Sequence, residues 1–189
     1  AVGDVSVVLL AALRRLLLAA VDEANAAVYR KANENAALEG MGTTLVAALL
    51  TDAGDICVNV GDSRLYTLRE GTLTQVTTDH SFVQYLLEKG LIRPDEAADH
   101  PNKNIILRAL GVNEHVECDL FPLPPFEMLL LCTDGLTNHV GDAQIASLLG
   151  GGEGPLLKPP LRKRAEQLVE TANRNGGMDN ITALLVGRE

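Results

Sequence analysis

The chain has 189 residues, 16 basic against 25 acidic, for a formal net charge of −9. That length is enough to bury a sizeable core, and 47% hydrophobic with 22% charged residues is a folded protein's balance, not a disordered chain's. The acid excess argues against a nucleic-acid partner, and three widely spaced cysteines (Cys57, Cys118, Cys132) form neither a disulfide framework nor a zinc knuckle and point to a reducing cytoplasm.

From Val7 to Leu38 the chain is rich in Ala and Leu and free of Pro and Gly. Leu10, Leu13, Leu17, Val21, Ala24 and Val28 recur at three- and four-residue steps, which predicts one long helix, or two broken near Val21, ending before Gly40. Arg14 and Arg15 in the middle of its most apolar stretch exclude a bilayer-spanning helix. Strands are predicted next over Thr43–Thr51, Asp55–Gly61, Arg64–Arg69 and Leu73–Val76, joined by Gly61-Asp62-Ser63 and Glu70-Gly71, as an antiparallel meander. A polar excursion from Asp79 to Leu107 is helical in places and broken by Pro94 and Pro101. Met128–Cys132 reads as a strand buried on both faces. A helix over Asp142–Leu149, a loop from Gly150 to Pro160, a helix over Leu161–Asn173 and a strand over Ile181–Val186 close the chain. Helices at both ends of a strand-rich middle predict an α+β fold with mostly antiparallel sheets.

Three aspartates fall where predicted strands stop: Asp62, Asp134 and Asp179. Each alone reads more readily as the cap of a turn or helix than as a chemical group. Together they offer oxygen donors of the kind that select Mg²⁺ or Mn²⁺ over zinc, and two such ions held close can clamp a phosphoryl group.

Six segments in order then carry a resemblance: Gly40-Met41-Gly42-Thr43-Thr44, Asn59-Val60-Gly61-Asp62-Ser63-Arg64, Thr78-Asp79-His80-Ser81, Arg108-Ala109-Leu110-Gly111, Thr133-Asp134-Gly135-Leu136 and Gly177-Met178-Asp179-Asn180-Ile181-Thr182. The chain resembles the metal-dependent protein phosphatases of the PPM (type 2C) family in their bacterial Ser/Thr form, from about Gly3 to Val186. The resemblance implies a two-layer antiparallel β-sandwich flanked by helices, in a single domain of residues 1–189 with a flap at about 80–107. It implies hydrolysis of phosphoserine and phosphothreonine in proteins by a metal-activated water. Asp134 and Asp179 match ligands of two paired Mg²⁺ or Mn²⁺ ions, and Asp62 matches a ligand of a third, looser one. The implied partners are phosphorylated proteins and a Ser/Thr kinase, in the cytoplasm. No catalytic or substrate-binding residue is assigned.

The family's opening strands, with a phosphate-gripping Arg, an Asp-Gly-rich segment and a His, have no counterpart after Ala1. The expectation is therefore one incomplete sheet, with an open edge on Thr43–Thr51 or Ile181–Val186, and weakened binding of Mg²⁺ and Mn²⁺. A catalytically impaired module acting through protein binding is the alternative; a regulatory phosphatase acting on an anti-sigma-type antagonist would share the chemistry. Among the remaining candidates, His80 reads as a cap beside Ser81 or a metal or acid/base residue, and Arg108 as an ion-pair partner or a phosphate contact. Arg64 reads as holding the Asp62 turn. His100, His115 and His139 read as surface or flap residues, Cys132 as an inert core residue, and Arg162-Lys163-Arg164 as a solvated face.

Overall fold

In the computed structural model, which describes residues 2–97, 100–150 and 159–188, the Ala/Leu-rich start is a single unbroken helix, α1 (Val2–Glu34). Leu10, Leu13, Leu17, Val21, Ala24 and Val28 line its least exposed side, as their spacing predicts, while Val7, Val8, Leu9 and Leu16 face water. A 3-10 turn, Ala36–Leu38, follows, capped by the Asn35 side chain, which accepts from the Ala37 N–H at 3.0 Å.

The chain divides into two units, each discontinuous in sequence: Ala1–Asp62 with Thr78–Pro122, and Ser63–Thr77 with Leu123–Glu189. The first holds an antiparallel sheet of order β1-β2-β5, from β1 (Leu45–Leu49), β2 (Ile56–Val60) and β5 (Asp119–Pro122). Leu45 pairs with Val60 and Asn59 with Asp119. Val21 of α1 packs with Val58, Val60 and Leu110. Two short helices, α2 (Phe82–Glu88) and α3 (Pro94–Ala97), occupy the polar excursion; Ser81 caps α2, its hydroxyl accepting from the Gln84 N–H at 3.2 Å.

Asn25 shows how this unit is fastened. It interrupts the apolar face of α1 and is 1% exposed. Its Nδ2 donates to the carbonyls of Asn113 (3.0 Å) and Glu114 (2.9 Å), and its Oδ1 accepts from the Gly111 N–H at 2.8 Å. Asn25→Ala strands the buried Gly111 N–H and takes a donor from the carbonyls of the exposed Asn113 and Glu114; about 1–3 kcal/mol for the buried group and about 0.5 kcal/mol for each lost bond make roughly 3 kcal/mol a fair sum. Thermal melting should fall by about 6–12 °C for a chain of this size; an unchanged melt would show that the clamp contributes nothing.

The second unit holds a sheet of order β4-β3-β6-β7, from β3 (Arg64–Arg69), β4 (Thr72–Gln75), β6 (Met128–Cys132) and β7 (Ala183–Gly187). All pairings are antiparallel, and every residue of β6 is buried, as its continuous apolar run predicts. Tyr66, Leu130 and Cys132 pack with Leu136 of α4 (Asp134–Thr137), Ile145 and Leu149 of α5 (Asp142–Gly150), and Leu168 and Ala172 of α6 (Leu161–Arg174).

Four expectations change. The four early strands are not one meander: β2 pairs with β1 and β5, while β3 pairs with β4 and β6, so the Gly61–Ser63 turn ends one sheet and begins the other. Strand β5 was not foreseen, because four residues ending at Pro122 carry no readable period. Arg164 is not solvated; 5% exposed, it donates to the carbonyls of Leu149 (2.7 Å) and Pro159 (2.9 Å). It shares the helical face of Leu168, Thr171 and Ala172, four, seven and eight residues on, all buried. Finally, α1 resolves the one-or-two-helix alternative in favour of one. Most of the predicted Gly150–Pro160 loop, residues 151–158, lies outside the described residues. The strands named as candidate edges, β1 and β7, do stand at the edges of their sheets. No helix among the described residues is long and apolar enough to cross a membrane.

Candidate functional site

The pairing of β6 with β7 ends at Cys132 opposite Ala183, and both chains continue to an aspartate. Thr133 locks the continuation. Its N–H donates to the Thr182 carbonyl (3.2 Å), its hydroxyl donates to the Asn180 carbonyl (3.2 Å), and the same hydroxyl accepts from the Thr182 N–H (3.1 Å). One residue further, Gly135 lies so close to Asn180 that an added Cβ would sit 2.3 Å from its carbonyl oxygen. Asp134 and Asp179 thus stand on two segments held in contact, each beside a residue of that contact.

Their carboxylates are differently placed. Asp134 is half-buried and accepts from Asn138 Nδ2 at 3.2 Å; Asp179 is exposed and accepts from the Asn180 N–H at 2.6 Å. His139 ties the Asp179 segment to the end of α4: its carbonyl accepts from Asn175 Nδ2 at 2.8 Å, and its Nε2 accepts from the Met178 N–H at 3.4 Å. That role explains a histidine which the sequence left as a surface residue near Asp134.

Asp62 ends the first stretch of the first unit and is half-buried, in a turn fixed by its neighbour. Gly61 adopts φ +106°, and a Cβ there would meet Thr44 Cγ2 at 2.4 Å, so only glycine suits both the backbone and the space. The Gly61 carbonyl accepts from the His80 N–H (2.9 Å) and from Asn59 Nδ2 (3.2 Å).

His80 is not the cap of α2, a role Ser81 fills. It is 7% exposed, its Nδ1 accepts from the Gly61 N–H at 3.1 Å, and its Nε2 lies 3.2 Å from an Asp119 oxygen. Arg108 takes the ion-pair role, with Nη1 3.1 Å from the other Asp119 oxygen and Nη2 3.6 Å from Glu117. Thr78, Asp79, His80, Gln84 and Arg108 are among the residues around a cleft of about 190 Å³. Arg64 donates to Tyr66 Oη at 3.0 Å. The hydrogen bonds of Asn25 and Asp119 also escaped the sequence reading; a lone Asn in the stripe of Val21, Ala24 and Val28 was the available signal for the first.

Nucleophilic cysteine chemistry has no support here. None of the three cysteines forms a disulfide, and burial pushes the Cys57 thiol up to about 12, far from the thiolate needed for attack. Oxygen donors are what remain. Two carboxylates on clamped segments suit a hard divalent cation in donor type. Among the described residues no three His, Cys, Asp or Glu side chains gather into a group that could hold a metal ion, so the pair would share any ion with water or other oxygens.

With this geometry in view, comparison with known proteins is direct. The family model described as Protein phosphatase 2C matches residues 4–185. The serine/threonine phosphatase Stp of Listeria welshimeri is 45% identical over 170 residues, covering 89% of this chain and 65% of that relative. The serine/threonine protein phosphatase PstP of Mycobacterium tuberculosis is 41% identical over 169 residues, covering 88% of this chain and 31% of PstP. The chain therefore spans about two thirds, or less, of these relatives' lengths. Among solved structures, Stp1 from Staphylococcus aureus matches with a TM-score of 0.84 at 38% identity, over 93% of this chain and 68% of that one. The catalytic domain of PstP in complex with two manganese ions matches at 0.76 and 38% identity, over 89% and 68%. The α+β fold of antiparallel sheets and helices is the one these structures share, and the chain belongs to the protein phosphatase 2C family.

Proposed function

We propose that this chain, residues 1–189 as one catalytic domain with residues 80–107 as its flap, hydrolyses phosphoserine and phosphothreonine in proteins with the help of Mg²⁺ or Mn²⁺. The observation that carries the reading is the Thr133 clamp, which brings the Asp134 and Asp179 segments into contact. Two manganese ions in the related PstP domain, and the phosphatase names of the relatives, support it.

Asp134 and Asp179 are the proposed ligands of the paired ions, and Asp62 of a looser one. The ions, when bound, would supply an activated water at neutral pH and offset the charge of the phosphoryl oxygens. The chain's own part is placement. Thr133 fixes the spacing of the two segments, Asn138 holds one Asp134 oxygen, and His139 restrains the Met178–Asp179 approach. Phosphoproteins made by a Ser/Thr kinase in the cytoplasm are the proposed substrates, in keeping with three cysteines that form no disulfide.

The test is a Mn²⁺ titration of chelator-stripped protein, read as phosphate release from a phosphothreonine peptide and from p-nitrophenyl phosphate. Release should rise with Mn²⁺ and vanish on chelation. No release from either substrate at millimolar Mn²⁺ would leave the non-catalytic binding module as the reading.

A further inference from the structure

We propose that His80 is a positioning residue for the Asp62 turn, held in one tautomer by Asp119 so that its other nitrogen can receive the Gly61 N–H. The Gly61 N–H points at Nδ1 (3.1 Å), so Nδ1 carries no proton and the ring's proton lies on Nε2. Nε2 then donates to one oxygen of Asp119 at 3.2 Å, while Arg108 Nη1 donates to the other at 3.1 Å. The 3.2 Å approach of Nη1 to Nε2 is thereby explained as two donors converging on one carboxylate, with no bond between them.

The main chain doubles the attachment. The His80 N–H donates to the Gly61 carbonyl at 2.9 Å, and the His80 carbonyl accepts from the Leu107 N–H at 2.7 Å. One buried residue therefore joins the base of the 80–107 segment to the residue before Asp62. A plain core residue would fill this space and leave the Gly61 N–H without its acceptor; Nδ1 fixes that N–H while the His80 N–H fixes the Gly61 carbonyl, next to a carboxylate at the turn. The consequence for catalysis rests on the phosphatase reading, through the use of Asp62; the tautomer and the attachment do not.

Two substitutions separate the ring's two nitrogens. His80→Asn keeps an acceptor near Nδ1 and gives up Nε2; His80→Gln keeps a donor near Nε2 and gives up the acceptor. In the unsubstituted protein the histidine ¹⁵N spectrum should show Nε2 protonated and Nδ1 bare. Amide exchange at Gly61 should stay slow in His80→Asn and quicken about tenfold in His80→Gln, as loss of about one hydrogen bond requires. The Mn²⁺ concentration for half-maximal hydrolysis should follow the same order, unchanged in the first and raised in the second. A proton on Nδ1, or equal loss of Gly61 protection in both variants, overturns the proposal. If either ring variant fails to fold, Asp119→Ala keeps the ring in place and must mix the tautomers and quicken Gly61 exchange; an unchanged tautomer overturns it too. Should the protein prove no phosphatase, the kinetic comparison is silent and the spectrum and exchange still decide.

Discussion

Asp134→Asn and Asp179→Asn should each remove nearly all Mn²⁺-dependent phosphate release while leaving the fold intact. Asparagine keeps the shape and discards the charge. Metal-ion catalysis draws several kcal/mol from charge stabilisation, and at about 1.4 kcal/mol per tenfold the loss is roughly 100- to 1,000-fold. Stability should hardly change. The Asp134 side chain accepts from Asn138 Nδ2 at 3.2 Å, and Asp179 is exposed, so each substitution should move stability by less than about 1 kcal/mol. The double variant should be little worse than either single one, because groups that act as a unit are not additive. Hydrolysis within a few fold of the unsubstituted chain, measured beside matching thermal melts, would exclude these residues as ligands.

Gly135→Ala should damage both stability and chemistry. Its Cβ would lie 2.3 Å from the Asn180 carbonyl oxygen and 3.0 Å from the carbonyl carbon, which are backbone atoms that no rotamer change can move. The segments must part by about 1 Å to restore ordinary contact, and the three bonds of Thr133 span that same gap. Overpacking costs about 1–3 kcal/mol, and weakened hydrogen bonds add about 1 kcal/mol. Melting should fall by about 5–15 °C on that sum, with Mn²⁺ binding weakened in parallel as Asp134 and Asp179 separate. Gly141→Ser is the control: a Cβ there meets nothing within 4 Å, and serine suits the position before α5. If Gly135→Ala melts like Gly141→Ser, the contact is looser than described.

Elements governed by their own residues were readable in the sequence. Met128–Cys132 is a run of five apolar residues and became a central strand; Arg64–Arg69 matches β3 at both ends. What depended on partners distant in the chain was not. Gly61-Asp62-Ser63 has hairpin chemistry, yet β2 finds β5, about sixty residues on, and β3 finds β6. Composition says that a turn occurs there; it does not say which sheet each arm joins. The site followed the same division. Asp134 and Asp179 were visible as acids at strand ends, whereas the Thr133 hydroxyl and the Gly135–Asn180 approach arise only once β6 and β7 pair. His80 shows the limit most clearly: beside Ser81 it looked like a cap, and only the return of β5 brings Asp119 to its ring.

The interleaving of the two units has a consequence for synthesis. Residues 63–77 emerge from the ribosome well before their sheet partner at 128–132, while residues 78–122 go back to complete the first unit. A nascent chain ending near Pro122 holds every residue of the first unit and an orphaned hairpin with nothing to pair against. Two-stranded hairpins are marginal in water, so until β6 emerges Leu65, Tyr66 and Leu68 remain exposed to aggregation or to chaperones. No single cut separates the units, and expressing either one alone requires splicing two stretches of chain.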